Sequence, residues 1–298
     1  MSTPNRCFYQ KITTALAALA FSCLSIFSAS AQNSALEPGF ITVIEAVGDA
    51  KIVTPEKPDG APAAAGMNLR VGDTVVTTSG GRVGLAFSNG SLFEVSENTK
   101  FSVQEYLQEP WKFSIEEWQK LEHEPTRSQT KAFVEYGDLT VKVKKLDSGS
   151  AMQVSTPLGV AGIRGTTFRV RVVRNADGTP KSASVQVAEG QVNFTPQGGG
   201  ESTPITPGNS VTVSVTVGPT GQIQISTPVQ ETLSAAEINL ITQAVENLVQ
   251  ASNNLTTLGD TPAAQTQTGG DARPQPANNP PAPPPPPIPT PTPVPSGL

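Results

Sequence analysis

The chain has 298 residues, a formal net charge of −5 at pH 7 and two cysteines, Cys7 and Cys23. An acidic chain of this kind lacks the basic footprint that nucleic-acid binding requires. Because both cysteines lie near the N-terminus, residues 32–298 can form no disulfide, thiolate metal site or cysteine nucleophile.

The first 31 residues have the pattern of a secretory signal peptide. Lys11 precedes an apolar run over 12–27, and Ala29-Ser30-Ala31 predicts cleavage after Ala31. The run is short for a membrane span, which needs about 20 residues, although an uncleaved N-terminal anchor is the alternative. Cleavage would change the net charge from −5 to −7, because the segment holds Arg6, Lys11 and no acid. We expect a protein secreted across the inner membrane, periplasmic or at the cell surface, with no later transmembrane span.

Short alternating segments fill residues 37–228 and predict an all-β domain. LTVKV (139–143), FRVRV (168–172) and VTVSVTV (211–217) alternate apolar and polar residues, as strands with one buried face do. Turn signals separate the segments at Asn89-Gly90, Gly137-Asp138, Asp177-Gly178, Glu189-Gly190 and Gly218 to Gly221. Ten to thirteen strands in this arrangement indicate an antiparallel β-sandwich or jelly-roll-like domain.

A helical insertion interrupts the strands over residues 109–130. Ser114 and Glu117 fit a capping box, which predicts a short amphipathic helix over about 115–123. Trp111 and Trp118 either seal the core, which is the interpretation that we favour, or form a lid or partner surface.

An amphipathic helix is predicted over residues 231–252. Ser234 is the N-cap, Glu237 completes a capping box, and an apolar stripe runs through Ile241, Val245 and Leu248. A lone helix of this length is marginal in water, so the stripe must pack on the β domain or on another chain. Both interpretations are open.

Residues 254–298 form a tail that contains half of the 28 prolines. Such a composition predicts a disordered segment with polyproline II character. It is either a spacer or a docking strip for an aromatic groove.

Three glycines, Gly159, Gly162 and Gly165, recur at every third residue of TPLGVAGIRGTTFRV. A phosphate loop would open a helix, whereas the residues that follow alternate as a strand, and no G-K-[ST] is present. We therefore interpret the glycines as a backbone that passes close to another strand. Arg164 is predicted either to tie down this bend by bonds to backbone carbonyls, which we favour, or to contact an anion.

The sequence contains no motif that is typical of a catalytic site. The only histidine, His123, lies between Glu122 and Glu124 and is interpreted as a solvated helix end. A serine triad and a zinc site both need histidine ligands or bases in the right context. We predict a protein that is not an enzyme, with no catalytic residue, no cofactor site and no metal site.

Basic residues on two strands are the remaining candidates for a binding surface. One strand carries Arg169, Arg171 and Arg174, and another carries lysines at 142, 144 and 145. These residues form either a basic face that steers an anionic partner or an ordinary solvent-exposed sheet face that is balanced by nearby acids. The predicted partner-binding residues are Arg164, Arg169, Arg171 and Trp118.

The chain resembles the FecR domain family over about residues 40–195. The resemblance is carried by RVGDTVVTTSGGRVGLAFSNGS (70–91), YGDLTVKV (136–143), STPLGVAGIRGTTFRVRV (155–172) and VAEGQVNF (187–194). It implies an all-β envelope domain without catalysis. In membrane-bound members of this family, the domain passes a signal from an outer-membrane receptor to a sigma factor. Eleven residues precede the apolar run here, so we do not expect the cytoplasmic sigma-binding segment of those regulators.

Two functions follow as hypotheses. The first is a secreted, non-catalytic FecR-like protein that binds or senses a protein or glycan partner at the cell envelope. The alternative is a structural envelope component that self-associates through the helix near residues 234–251.

Overall fold

A computed structural model describes residues 35–217 and 222–258, which all belong to one compact unit. The predicted signal peptide, the turn over 218–221 and all of the proline-rich tail beyond residue 258 lie outside the described residues. None of the helices in the described ranges combines the length and the hydrophobicity needed to cross a bilayer.

The described residues form nineteen strands and two helices. The strands are β1 (Glu37–Pro38), β2 (Ile41–Val47), β3 (Ala50–Thr54), β4 (Lys57–Pro62), β5 (Asn68–Leu69), β6 (Thr74–Thr77), β7 (Arg82–Phe87), β8 (Leu92–Val95), β9 (Lys100–Gln108), β10 (Ser128–Lys142), β11 (Ala151–Thr156), β12 (Gly159–Ile163), β13 (Thr167–Arg174), β14 (Pro180–Glu189), β15 (Val192–Pro196), β16 (Thr203–Ile205), β17 (Asn209–Val217), β18 (Ile223–Ile225) and β19 (Val229–Thr232). The helices are α1 (Ile115–Gln119) and α2 (Ala235–Asn253).

Seventeen of the described strands pair into two sheets that share the long strand β10, while β1 pairs with the end of β9 and β18 with the end of β17. Sheet 1 has the order β4-β3-β6-β9-β10-β11-β12-β15-β16. Sheet 2 has the order β5-β2-β7-β8-β10-β13-β14-β17-β19. The first half of β10 belongs to sheet 1 and the half after Tyr136 to sheet 2. All of these pairings are antiparallel except the parallel pair β10–β11.

A single hydrophobic core lies between the two sheets. The inward residues of β10 and β13 include Leu139, Val141, Phe168 and Val170, each fully buried. They share this core with residues of sheet 1 such as Val154. The period-two pattern therefore predicted the buried faces correctly, and the all-β fold is confirmed.

The strand number differs from the ten to thirteen that the pattern predicts. Several strands are only two to four residues long, such as β1, β5 and β16, and are too short to show a period. They exist because of pairing with residues distant in sequence, for example Glu37 of β1 with Gln108 of β9.

Helix α2 packs across the outer face of sheet 2. Its buried residues are Ile241, Val245, Leu248 and Ser252, which recur at helical spacing. Leu248 contacts the sheet above Gly84, where an added Cβ would lie 3.1 Å from both Leu248 Cδ2 and Ile44 Cγ1. The stripe thus packs on the protein's own β domain, one of the two alternatives that the sequence left open.

Candidate partner-binding surface

The insertion folds over one end of the sandwich. Ser114 caps α1 by accepting from Glu117 N, and the Glu117 carboxylate accepts from Ser114 N, so both halves of the capping box are present. The helix ends at Gln119, short of the predicted 123. The reason is long-range: His123 pairs with Lys145 as an isolated bridge, and Glu124 N donates to Lys145 O at 3.0 Å.

The two tryptophans of the insertion differ in exposure. Trp118 is 3% exposed, and its indole Nε1 donates to Phe87 O at 3.0 Å. Trp111 is half-buried and stacks on Phe113, with 4.4 Å between ring centroids. Both belong with Leu121 to a small apolar cluster that also contains Leu248 of α2. Trp118 therefore packs as the core interpretation requires and offers no exposed surface in this conformation.

The glycine triplet lies in a strand and the bend that follows it. Gly159 and Gly162 belong to β12, and the strand β13 begins at Thr167, two residues after Gly165. No helix opens after the glycines, so the geometry of a phosphate loop is absent from this stretch. A Cβ on Gly159 would overlap the Phe194 ring and lie 2.7 Å from the carbonyl oxygen of the next residue in β15. The interpretation as a close backbone passage is correct.

Gly165 forms the bend that exposes Arg164. Its φ of +80° is a conformation that favours glycine, and a Cβ there would lie 2.9 Å from Lys145 Cα. The favoured role of Arg164, tying down the bend, is wrong, because its side chain makes no hydrogen bond to any described residue. The bend is held instead by Val143 N, which donates to Thr166 O at 2.9 Å.

Arg169 and Arg171 lie elsewhere, on the outer face of sheet 2. Arg169 Nη2 is 2.8 Å from Asp138 Oδ1, and Arg171 Nε is 3.7 Å from the same oxygen. Arg174 instead lies over the Tyr136 ring, 3.5 Å from its centroid. An acid therefore pairs with Arg169 and Arg171 on this face. Lys142 lies on the same face of β10, where it is opposite Thr167 and Arg169 is opposite Thr140. Whether Arg164, Arg169, Arg171 or Trp118 contacts a partner stays a prediction.

Four basic residues that form no salt bridge with a described residue lie beside the insertion. We call Lys142, Lys144, Lys145 and Arg164 the cationic patch. Within residues 35–217 and 222–258, none of them forms a salt bridge, whereas Lys100, Lys131, Arg82 and Arg127 do. Lys145 and Arg164 are exposed, and the other two are partly buried.

Lys144 is the most constrained member of the cationic patch. A Cβ on Gly90 would lie 3.1 Å from Lys144 Cγ and 3.2 Å from Leu121 Cδ1, so the lysine stem and the leucine both cover the β7–β8 turn. Burial lowers the pKa of Lys144, and the neighbouring charge of Lys142 lowers it further, while Glu122 acts in the opposite direction. Two cations of the patch therefore repel each other, and Glu122 offsets part of this repulsion at Lys144.

Glu124 anchors the insertion beneath the cationic patch. It is 4% exposed and accepts hydrogen bonds from Ser128 Oγ and, at 3.1 Å, from Asp147 N. Burial raises the pKa of Glu124, and the hydrogen bond from Ser128 opposes that shift. His123 is exposed, as the sequence interpretation of a solvated helix end requires, but it lies beyond the end of α1 at Gln119. The neighbouring Glu124 is buried through contacts with β10 and the β10–β11 loop.

The arrangement offers binding rather than metal chemistry. Among the described residues, no group of three or more histidine or acidic side chains could hold a metal ion. That the whole protein has no metal or cofactor site stays a prediction.

Residues 73–193 match the model of the FecR protein family. The match covers less than half of the chain, and it begins later than the resemblance, which starts at about residue 40. The cationic patch and the insertion lie within the matched residues, and α2 lies after them.

Two solved structures are similar to part of the chain. Both are crystal structures of a protein described as an anti-sigma factor from Parabacteroides distasonis, at 2.50 Å and 1.65 Å resolution. The first has 15% identity and a TM-score of 0.39 over 57% of this chain and 64% of that one, so the chain spans less than two thirds of its length. The second has 14% identity and a TM-score of 0.37 over 60% and 74%. None of the curated proteins matches the chain.

Proposed function

We propose that the protein is a non-catalytic sensing module that binds a protein or glycan partner at the cell envelope through its FecR domain. FecR proteins are regulators without enzymatic activity, which supports a signalling or sensing role. The cationic patch is the surface that this function would use.

One observation carries the proposal: no member of the cationic patch forms a salt bridge with a described residue, although the net charge of the chain is −5. Arg169 shows what a structural cation does in this fold, since it pairs with Asp138 beneath α2. A cluster of exposed cations without such partners steers and binds anionic groups of another molecule. We therefore assign the patch to recognition.

The envelope location is a proposal that rests on sequence. It is supported by the apolar run over 12–27 and the Ala29-Ser30-Ala31 site. N-terminal sequencing of the protein from the envelope fraction should begin at Gln32. Recovery of the chain in the cytoplasm with its N-terminus intact would contradict this location.

The alternative, self-association through residues 234–251, was motivated by an apolar stripe that could contact another chain. The apolar stripe of α2 is buried against sheet 2 of the same chain. An exposed stripe would be needed to bring two copies together through this helix.

Site-specific photo-crosslinking tests the proposed function. A photoreactive residue replaces Glu122, which is exposed beside Lys144, and a control replaces Lys57, which is exposed at the start of β4. We expect a specific adduct in the envelope from position 122 and none from position 57. No adduct from position 122, or the same adducts from both positions, would contradict a binding function for this surface.

A further inference from the structure

We propose that the cationic patch binds an acidic segment of a protein, in which carboxylates are spaced along an extended chain with apolar residues between them. This inference rests on the proposed function and names the chemistry of the partner. It is carried by the placement of the four cations, by the absence of a salt bridge between any of them and a described residue, and by the apolar residues beside them.

The cations lie along two neighbouring backbone segments. Lys142, at the end of β10, pairs in register with Thr167 of β13. Beyond this pair, the backbones of Lys145 and Gly165 are in close contact, which brings Arg164 next to Lys145. Arg164 presents a planar guanidinium that binds a carboxylate through two hydrogen bonds, whereas the lysines act as point charges.

The patch is electrostatically unsatisfied without a ligand. Lys142 and Lys144 repel each other, and Lys144 is partly removed from water by its contact with the β7–β8 turn. An anion at this position relieves the repulsion and compensates for the lost hydration. Among the described residues, Glu122 is the acid whose charge opposes this repulsion at Lys144.

Acids interleaved with the cations favour a peptide over a uniformly anionic surface. Glu122 acts on Lys144, and Asp147 follows Lys145 by two residues and is exposed. A membrane or a polyanion would bring negative charge against these acids as well as against the cations. A peptide can place single carboxylates at Arg164 and Lys145 and leave neutral residues opposite the acids.

Apolar residues adjoin the cations on the side of the insertion. Leu121 lies against the same turn as Lys144 and belongs to the cluster that includes Trp111 and Phe113, all of them partly exposed. Such residues contribute apolar contact area beside a charged contact. The segment that we infer therefore carries aliphatic or aromatic residues next to its carboxylates.

The test begins from the protein captured by crosslinking at position 122. Mass spectrometry of the adduct identifies the crosslinked peptide, which we expect to contain at least two aspartates or glutamates close together. The purified partner is then titrated with the full chain and with Arg164→Glu. We expect the variant to bind about tenfold more weakly or worse, since charge reversal replaces an attraction by a repulsion. Lys57→Glu, with the same charge change on an exposed lysine of β4, should bind like the wild type.

A charge swap makes the assignment specific. Replacing one mapped acidic residue of the partner by arginine should restore binding to Arg164→Glu and weaken binding to the wild type. A crosslinked peptide without acidic residues, or equal affinity of Arg164→Glu and Lys57→Glu for the partner, overturns the inference. In either case a partner has been found, so the proposed function stands. Adducts with an anionic polysaccharide, or Arg164-dependent binding to phosphatidylglycerol vesicles in place of the protein, would also overturn it. No adduct at all overturns the proposed function itself.

Discussion

The three glycines of the triplet have one spacing but three environments. Gly159 is pressed against the Phe194 ring, Gly162 has no heavy atom closer than 3.7 Å to an added Cβ, and Gly165 has a φ of +80° against Lys145. The cost of a methyl group should therefore differ at each position.

Alanine substitutions test these environments. Gly159→Ala should lower the free energy of unfolding by about 1–3 kcal/mol through overpacking, and Gly165→Ala by about 1–2 kcal/mol through its backbone conformation. Gly162→Ala, the matched control, should change it by about 0.5 kcal/mol or less. Urea unfolding of the three variants measures the series. Equal losses at all three positions would contradict the close passage at Gly159 and the bend at Gly165.

A buried glutamate gives the protein a pH-dependent stability. Burial raises the pKa of Glu94, and Arg82, whose Nε lies 3.9 Å from its carboxylate, opposes the shift. Because the folded state then binds this proton more tightly, the contribution of Glu94 to stability is full below about pH 4.3 and is lost as pH rises through the folded pKa. Glu94→Gln should therefore flatten the decline of stability above about pH 4.3.

The measurement is urea unfolding of the wild type and Glu94→Gln from pH 4 to pH 7. The decline should shrink without vanishing, because Glu124 has a raised pKa of its own. An unchanged slope, or stability that rises more steeply with pH in the wild type, would show that Glu94 does not titrate as its surroundings indicate.

Residue-level roles were only partly predictable. Spacing identified the close passage at Gly159, because a glycine inside an alternating strand commonly marks a point where another backbone approaches closely. Spacing could not predict the burial of Glu124. It also could not predict that Arg164 makes no hydrogen bond to a described residue. Both depend on Lys145 and the segment around it, which the fold brings next to the insertion and the bend.

At the level of elements, α2 is held by a few large contacts. Leu248 lies at the cluster formed with Ile44, Ala86, Leu92 and Trp118. At the C-terminal end, Gln119 Nε2 donates to Ser252 O at 3.0 Å and to Asn253 O at 3.2 Å, which satisfies free carbonyls of the helix. The insertion and α2 therefore stabilise each other.

Leu248→Ala should lower the free energy of unfolding by about 2–5 kcal/mol, the range for a buried leucine. Leu240→Ala is the matched control on the same helix, because Leu240 is 56% exposed and should change stability by about 0.5 kcal/mol or less. Thermal or urea unfolding compares them. Similar effects of the two substitutions would contradict the docking of α2 on sheet 2.

Helix existence was easier to predict than helix partners. The capping boxes at Ser114 and Ser234 are local, so they can be recognised in the sequence and are present in the structure. Helix α2 packs on its own sheet at Gly84, where the missing side chain leaves room for Leu248. Nothing in the sequence around Gly84 indicates that a helix packs there.

On the scale of the whole molecule, the position of α2 bears on association. The apolar stripe of α2 is buried against sheet 2 of the same chain. We therefore expect residues 32–298 to be monomeric in sedimentation velocity. A concentration-dependent dimer that Val245→Asp abolishes would contradict this expectation, provided that the variant unfolds with wild-type cooperativity.

The alternation of strands was sufficient to predict an all-β domain, but not the crossing of β10 from sheet 1 to sheet 2. The switch occurs near Tyr136, in the middle of a continuous strand, and is set by partners on β8, β9 and β13. The same crossing carries Lys142 to the end of the domain where the cationic patch forms. The composition of the patch was visible in the sequence, whereas the contacts of Arg169 and Arg171 with Asp138 were not.

The central claim is that the cationic patch, and not the paired arginines of sheet 2, is the recognition surface of this β domain. It is tested most directly by isothermal titration of the crosslinked partner into two variants, Arg164→Gln and Arg171→Gln, with unfolding measured in parallel. We predict about tenfold weaker binding for Arg164→Gln, a difference of about 1.4 kcal/mol, and wild-type binding for Arg171→Gln. Unchanged affinity for Arg164→Gln, or a larger loss for Arg171→Gln, would contradict it.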